Sequence, residues 1–82
     1  MKKPIGKISH YFSKINVAIV ELEETLKIGE KILIEGPETA FEQEVESIQI
    51  EREPVQEAGE GQSIGLKTIK PVKEGFLVYK AD

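Results

Sequence analysis

His10 is the chain's one histidine, with Ser9 beside it and Ser13 three residues on. A hydroxyl and an imidazole this close are the raw material of a nucleophile–base pair. Such a pair also needs a third group to orient the ring and a hydroxyl on the ring's own side. On an extended strand Ser9 and His10 project to opposite faces, so the expectation is a structural or surface histidine and no catalysis. Glu42, Glu44 and Glu46 alternate, and at least the first two share a face. Clustered carboxylates can hold a hard cation, but such a row more often forms the solvated side of a sheet. Gly59, Gly61 and Gly65 have the look of a phosphate cradle. No helix pattern follows them, however, and Glu57 and Glu60 would repel phosphate. Turn chemistry is expected there, with Gly65 marking a close backbone approach or a bulge inside a strand. The chain has no cysteine, which removes disulfides, thiolate zinc sites and a cysteine nucleophile. The reading is of a protein without a catalytic set, a metal site or a cofactor.

Cations are the better candidates for a binding surface. The net charge of −4 is the sum of unequal parts. Residues 1–20 hold four lysines and no acid, residues 21–60 hold thirteen glutamates against Lys27, Lys31 and Arg52, and residues 61–82 hold four lysines against Glu74 and Asp82. If the terminal strands lie side by side, Lys2, Lys3, Lys7 and Lys14 could gather with Lys67, Lys70, Lys73 and Lys80, leaving the acidic middle to point elsewhere. His10, Tyr11 and Phe12 would add rings on which unpaired bases stack. Alternatively, Tyr11 or Phe12 fills the core and the lysines only keep the protein soluble.

The elements that would position these groups are short strands. "GKISHYF" (6–12) is followed by "NVAIVELE" (16–23), apolar almost without interruption from Val17 to Leu22. A run of that kind is expected to be covered on both faces or to line a closed barrel. "KILIE" (31–35) lies between Gly29 and Gly36-Pro37, both turn punctuation, and Gly29 is expected to supply a backbone angle other residues resist. In "FEQEVESIQIERE" (41–53), Phe41 and Val45 share one period-two phase, whereas Ile48 and Ile50 share the other. That offset predicts one long strand bent by a bulge near Glu46-Ser47. "EAGEGQ" (57–62) reads as turn, "SIGLKT" (63–68) as a strand, and "FLVYK" (76–80) as the last strand after Pro71 and Gly75. Six or seven strands with almost no helix signal predict a single all-β domain over 1–82, a small closed antiparallel barrel. The competing reading is a helix over "VAIVELEETLKIGEKI", whose glutamates and leucines favour it, and Gly29 and the β-branched Val17, Ile19 and Val20 argue against it. There is no signal-peptide pattern, and the longest apolar run ("VAIV", 17–20) is too short to cross a membrane. A cytoplasmic protein is expected.

In sequence order, "LKIGEKILI", "VESIQIERE", "AGEGQSIGL" and "VKEGFLVYK" resemble the second domain of translational GTPases such as elongation factor Tu. The family's Lys-x-Gly-acid turn falls on Lys27 to Ile32 and its middle strand on Ser47 to Glu51. Its Ala…Gly…Gly-Leu stretch falls on Ala58 to Leu66, and its Gly-x-hydrophobic end on Gly75 to Val78. The opening "HYFSKINVAIVEL" departs from those GTPases and resembles the C-terminal accessory barrel of the collagenase-like peptidase family. The resemblance covers about residues 6–80. It implies a translation-factor-type barrel standing alone, with no nucleotide hydrolysis, since a phosphate loop ending in Gly-Lys-Ser/Thr is absent. It also implies no peptidase chemistry, because the enzyme domain lies outside this kind of segment. In the elongation factor this barrel helps hold the 3′ end of aminoacyl-tRNA. On that resemblance Gln49 and Arg52 occupy pocket positions, Arg52 offering a planar cation for phosphate or base stacking.

Two functions follow as expectations. The first is a non-enzymatic module binding tRNA, rRNA or the ribosome through His10, Tyr11, Lys14, Gln49, Arg52, Lys67, Lys70 and Lys73. The second is a protein-interaction barrel that docks an enzyme or ribosomal protein without touching RNA.

Overall fold

A computed structural model describes residues 3–81 of the protein, and among them there are strands and turns but no helix. Lys2, one of the lysines assigned to a basic face, lies outside the described residues. The strands are β1 (Gly6–Phe12), β2 (Val17–Leu22), β3 (Leu26–Lys27), β4 (Lys31–Glu35), β5 (Ala40–Glu44), β6 (Ile48–Ile50), β7 (Glu53–Val55), β8 (Glu57–Ala58), β9 (Ser63–Lys67) and β10 (Leu77–Lys80). Eight of them form one antiparallel sheet in the order β5-β4-β10-β1-β2-β9-β6-β7, and β3 pairs with β8 in a separate two-stranded sheet.

The large sheet curls as a half-barrel around one apolar core. Its inner face follows the period-two rule. Ala18, Val20 and Leu22 of β2, Ile32 and Ile34 of β4, and Ile64 and Leu66 of β9 are all buried. Ile8, Leu26, Val45, Ile48 and Val78 complete the fully buried set. Each such side chain contributes about 1.5–3 kcal/mol when buried, so the alternation itself fixes which face turns inward.

The all-β expectation holds, whereas a closed ring of six or seven strands does not describe the sheet. The segment 41–53 is the main correction. Instead of one bulged strand it forms β5, a crossing at 45–47, and then β6. Val45 N–H donates to Glu30 O (2.8 Å) and Val45 O accepts from Gly29 N–H (2.9 Å), holding the chain against the β3–β4 turn before it leaves to pair with β9. Val45 and Ile48 are therefore both buried across an odd interval because the chain changes partners, without an inserted residue. The bulge is in β1: Ile8 faces Val20 and His10 faces Ile19, which leaves Ser9 as the extra residue. Gly29 has φ +96°, and the turn it makes lets Lys27 N–H donate to Glu30 Oε1 at 2.7 Å.

Two contacts hold the curl. The Phe76 ring lies on Gly36, where any Cβ would land inside the ring's van der Waals surface. Gln43, only 6% exposed, bridges from β5 to the segment after β9. Its Nε2–H donates to Lys67 O (2.8 Å) and its Oε1 accepts from Ile69 N–H (2.9 Å), so one side chain stands in for a strand pair.

Candidate functional site

The outer face of β1-β2-β9-β6 is built by cross-strand rows. One row runs His10, Ile19, Gly65, Gln49 and Pro54, and the next runs Phe12, Val17 and Lys67. Gly65 has no side chain to raise the middle of this surface, which becomes a groove of roughly 560 Å³ lined mostly by apolar groups. Phe12 and Ile15 stand at one side, 44% and 59% exposed, and Val17 and Ile19 form the wall. Gln49, Glu51 and Arg52 close the opposite side.

Backbone strain marks that opposite side. Ile50 faces Glu53, leaving Glu51-Arg52 as a two-residue hairpin loop. Both residues have positive φ, 51° and 70°, as in a type I′ turn. Such a turn strongly favours Asn-Gly, and each side chain forced into this region costs about 1–2 kcal/mol. The geometry places the Arg52 guanidinium at the groove. The other hairpin at this end, 13–16, is relieved by Asn16, which tolerates its φ of 56° and accepts a hydrogen bond from Tyr11 Oη at 3.1 Å.

The residues singled out in the sequence separate into groups. Gln49 and Arg52 line the groove together, and Lys67 faces outward beside Val17 at its edge. His10 shares the face, with its ring edge-on to Phe12 at 4.5 Å between centroids and 3.8 Å from Glu74 Oε1. Lys14 sits in the 13–16 loop next to Ile15. Tyr11 is half-buried against the core, so of the aromatic trio Phe12 and His10 are the exposed rings. Lys73 lies in a second hollow with His10, Tyr11 and Glu74, while Lys70 is over the Phe41 ring at 5.6 Å, away from the groove. Sequence reasoning missed Ile15, Val17, Ile19 and the Gly65 floor as parts of one site. The signal was present: an apolar run from Val17 to Val20 needs cover on both faces, and the fold covers one.

Ser9 and His10 do not form a pair. Ser9 Oγ–H donates to Ile19 O at 3.4 Å, across from the imidazole's contacts with Phe12 and Glu74. Among the described residues no three His, Asp or Glu side chains gather as a metal set, and no helix is long and apolar enough to cross a membrane.

Comparison with known proteins gives the chain a context. No protein-family model matches it. It is 40% identical to an uncharacterised protease of Methanocaldococcus jannaschii, over 95% of this chain and 19% of the protease. It is 37% identical to a collagenase of Porphyromonas gingivalis, over 99% of this chain and 23% of that protein. Two crystal structures of the C-terminal domain of a Geobacillus thermoleovorans U32 peptidase candidate superpose with a TM-score of 0.91 each, at 22% and 21% identity. They cover 96% and 99% of this chain and 100% and 93% of theirs. The fold is that of this C-terminal domain. The chain spans about a fifth of the length of the curated relatives it matches. Their names support the likeness to the collagenase-like accessory barrel; an elongation-factor identity has no support in them.

Proposed function

We propose that the protein is a non-enzymatic accessory barrel of the collagenase-like kind, acting by docking a protein, in the first place a collagenase-like enzyme. One observation carries this reading: the similarity takes in nearly the whole chain and only about a fifth of each protease, while the fold matches a C-terminal domain. A domain with that relation to an enzyme supplies binding or positioning in place of chemistry. The geometry agrees, since the hydroxyl and imidazole nearest in sequence are engaged with separate neighbours. A cytoplasmic setting suits a chain without cysteine.

Direct binding of tRNA, rRNA or the ribosome is the second reading, because Gln49, Arg52 and Lys67 share a face with the exposed Phe12 ring. One experiment weighs the two. The purified chain is mixed with collagenase-like proteases of the same genome and, separately, with fluorescent tRNA at low and moderate salt. A complex with the protease that elutes as one species, together with no tRNA binding at tens of micromolar protein, is the expected result. Affinity for tRNA that falls steeply with salt, without a protease complex, would replace the accessory reading with the RNA one.

A further inference from the structure

The groove floored by Gly65 has features that docking in general does not require. The fold spends strain to hold Glu51 and Arg52 at positive φ, and strain of this kind persists where the surroundings over-determine it and gathers at ligand sites. The wall residues Val17 and Ile19 are apolar side chains on the outward face of β2, which turns acidic only at Glu21, yet this face carries no covering element among the described residues. Electrostatics supply the third feature. In a chain of net charge −4, Arg52, Lys67 and Lys14 stand at the groove against two acids, Glu51 in its lining and Glu21 across from Ser63 at its far edge. Three cations against two acids leave the groove slightly positive in an acidic molecule.

We propose that this groove binds an extended peptide segment in which an apolar side chain is flanked by carboxylates. The apolar side chain lies on Gly65 between Ile19 and Gln49, against Phe12. A neighbouring carboxylate meets the planar Arg52 guanidinium, which is suited to two parallel hydrogen bonds, and the Gln49 amide has a donor for the peptide backbone. The site deepens the accessory-barrel reading and rests on it for the source of the segment: a protein partner whose docking loop is acidic and apolar. RNA would find the same cations but would set its phosphates against an apolar wall.

The test is amide NMR on the complete chain, titrated with three probes. These are a blocked pentapeptide alternating aspartate and leucine, its lysine–leucine counterpart, and a single-stranded RNA tetranucleotide. The expected result is saturable shifts at Val17, Ile19, Gln49, Arg52 and Gly65 with the acidic peptide alone. Gly65→Val should abolish them by filling the floor. A Cβ there meets Val17 Cγ1 at 3.4 Å, so Gly65→Ala is made beside it as the variant the strand has room for, with a weaker loss of binding expected. Arg52→Gln should weaken binding roughly fivefold. Phe12→Ser, at a position 44% exposed and outside the buried core, should weaken the acidic peptide's shifts while the chain stays folded. Equal shifts with the basic peptide, shifts with RNA only, shifts elsewhere, or none would each overturn the proposal. Carrying Gly65→Val into the protease-binding experiment keeps the two claims apart. A protease complex unaffected by the substitution leaves the accessory reading standing and removes the groove. Peptide binding without any protease complex does the reverse.

Discussion

The Gln43 bridge and the Glu51-Arg52 loop are both places where the protein departs from a simple sheet, and they do so in opposite ways. Gln43 is buried, keeps ordinary strand geometry and has each end of its amide engaged, with Lys67 O and Ile69 N–H. The Glu51-Arg52 loop is exposed, holds two side chains in a backbone region that resists them, and aims an unburied cation at an apolar groove. In the first, a polar group completes its bonding within the fold and adds stability. In the second, backbone strain is carried and the hydrogen-bonding capacity of the exposed Arg52 side chain is not used up within the fold. Polar groups that look alike in sequence are thus told apart by whether their bonding is finished.

Substitution should separate the two regions. The largest effect belongs to Gln43→Leu, which keeps volume while leaving Lys67 C=O and Ile69 N–H without their partner. Loss of about 2–3 kcal/mol is expected in denaturant unfolding, a fall of roughly 10 °C or more in Tm. A loss within error would mean that solvent replaces the bridge. Next comes the double change Glu51→Asn with Arg52→Gly, which gives the loop the residues its backbone prefers. A gain of about 1–2 kcal/mol should accompany weaker capture of the acidic peptide. If stability falls, the loop is held by contacts of Glu51 or Arg52 that the strain does not reveal. The smallest is Thr68→Val. Thr68 sits between the two residues bonded by Gln43, and its buried Oγ1 has no partner among the described residues. Removing that hydroxyl should stabilise by about 1 kcal/mol or be neutral; a clear loss would show that the hydroxyl belongs to the bridge.

Much of the fold could be read before any coordinates. The strands 6–12 and 31–35 coincide with β1 and β4 because turn residues bound them and period-two burial patterns them. The paired strands β3 and β8 have two residues each, too short for any pattern to register. The crossing at 45–47 looks like a bulge because both change the phase of a strand; only the partners distinguish them. Gln43 could have been recognised as an inward residue, since it keeps phase with Phe41 and Val45, but its one acceptor and one donor lie more than twenty residues away in sequence. At the site, Gln49 and Arg52 came from family resemblance, and the structure places them side by side. Their strained loop has no sequence cue, because neither glycine nor asparagine is there to announce it. Lys70 and Lys73 are expected beside Lys67 if the terminal strands lie side by side, but the 68–75 connection carries them to other neighbours.

The position of β10 has a consequence for how the chain acquires its shape. This strand, near the end of the sequence, lies in the interior of the sheet with β1 on one side and β4 on the other. Until residues 77–80 dock, the β4-β5 hairpin and the β1-β2-β9-β6-β7 array have no backbone ladder between them. Assembly must therefore wait for the latest strand to join pieces made early, a non-local closure that slows folding. The same geometry makes the barrel a natural split protein: a fragment ending before Leu77 and a peptide carrying β10 should complement each other, with the returning strand acting as the switch that makes one sheet out of two.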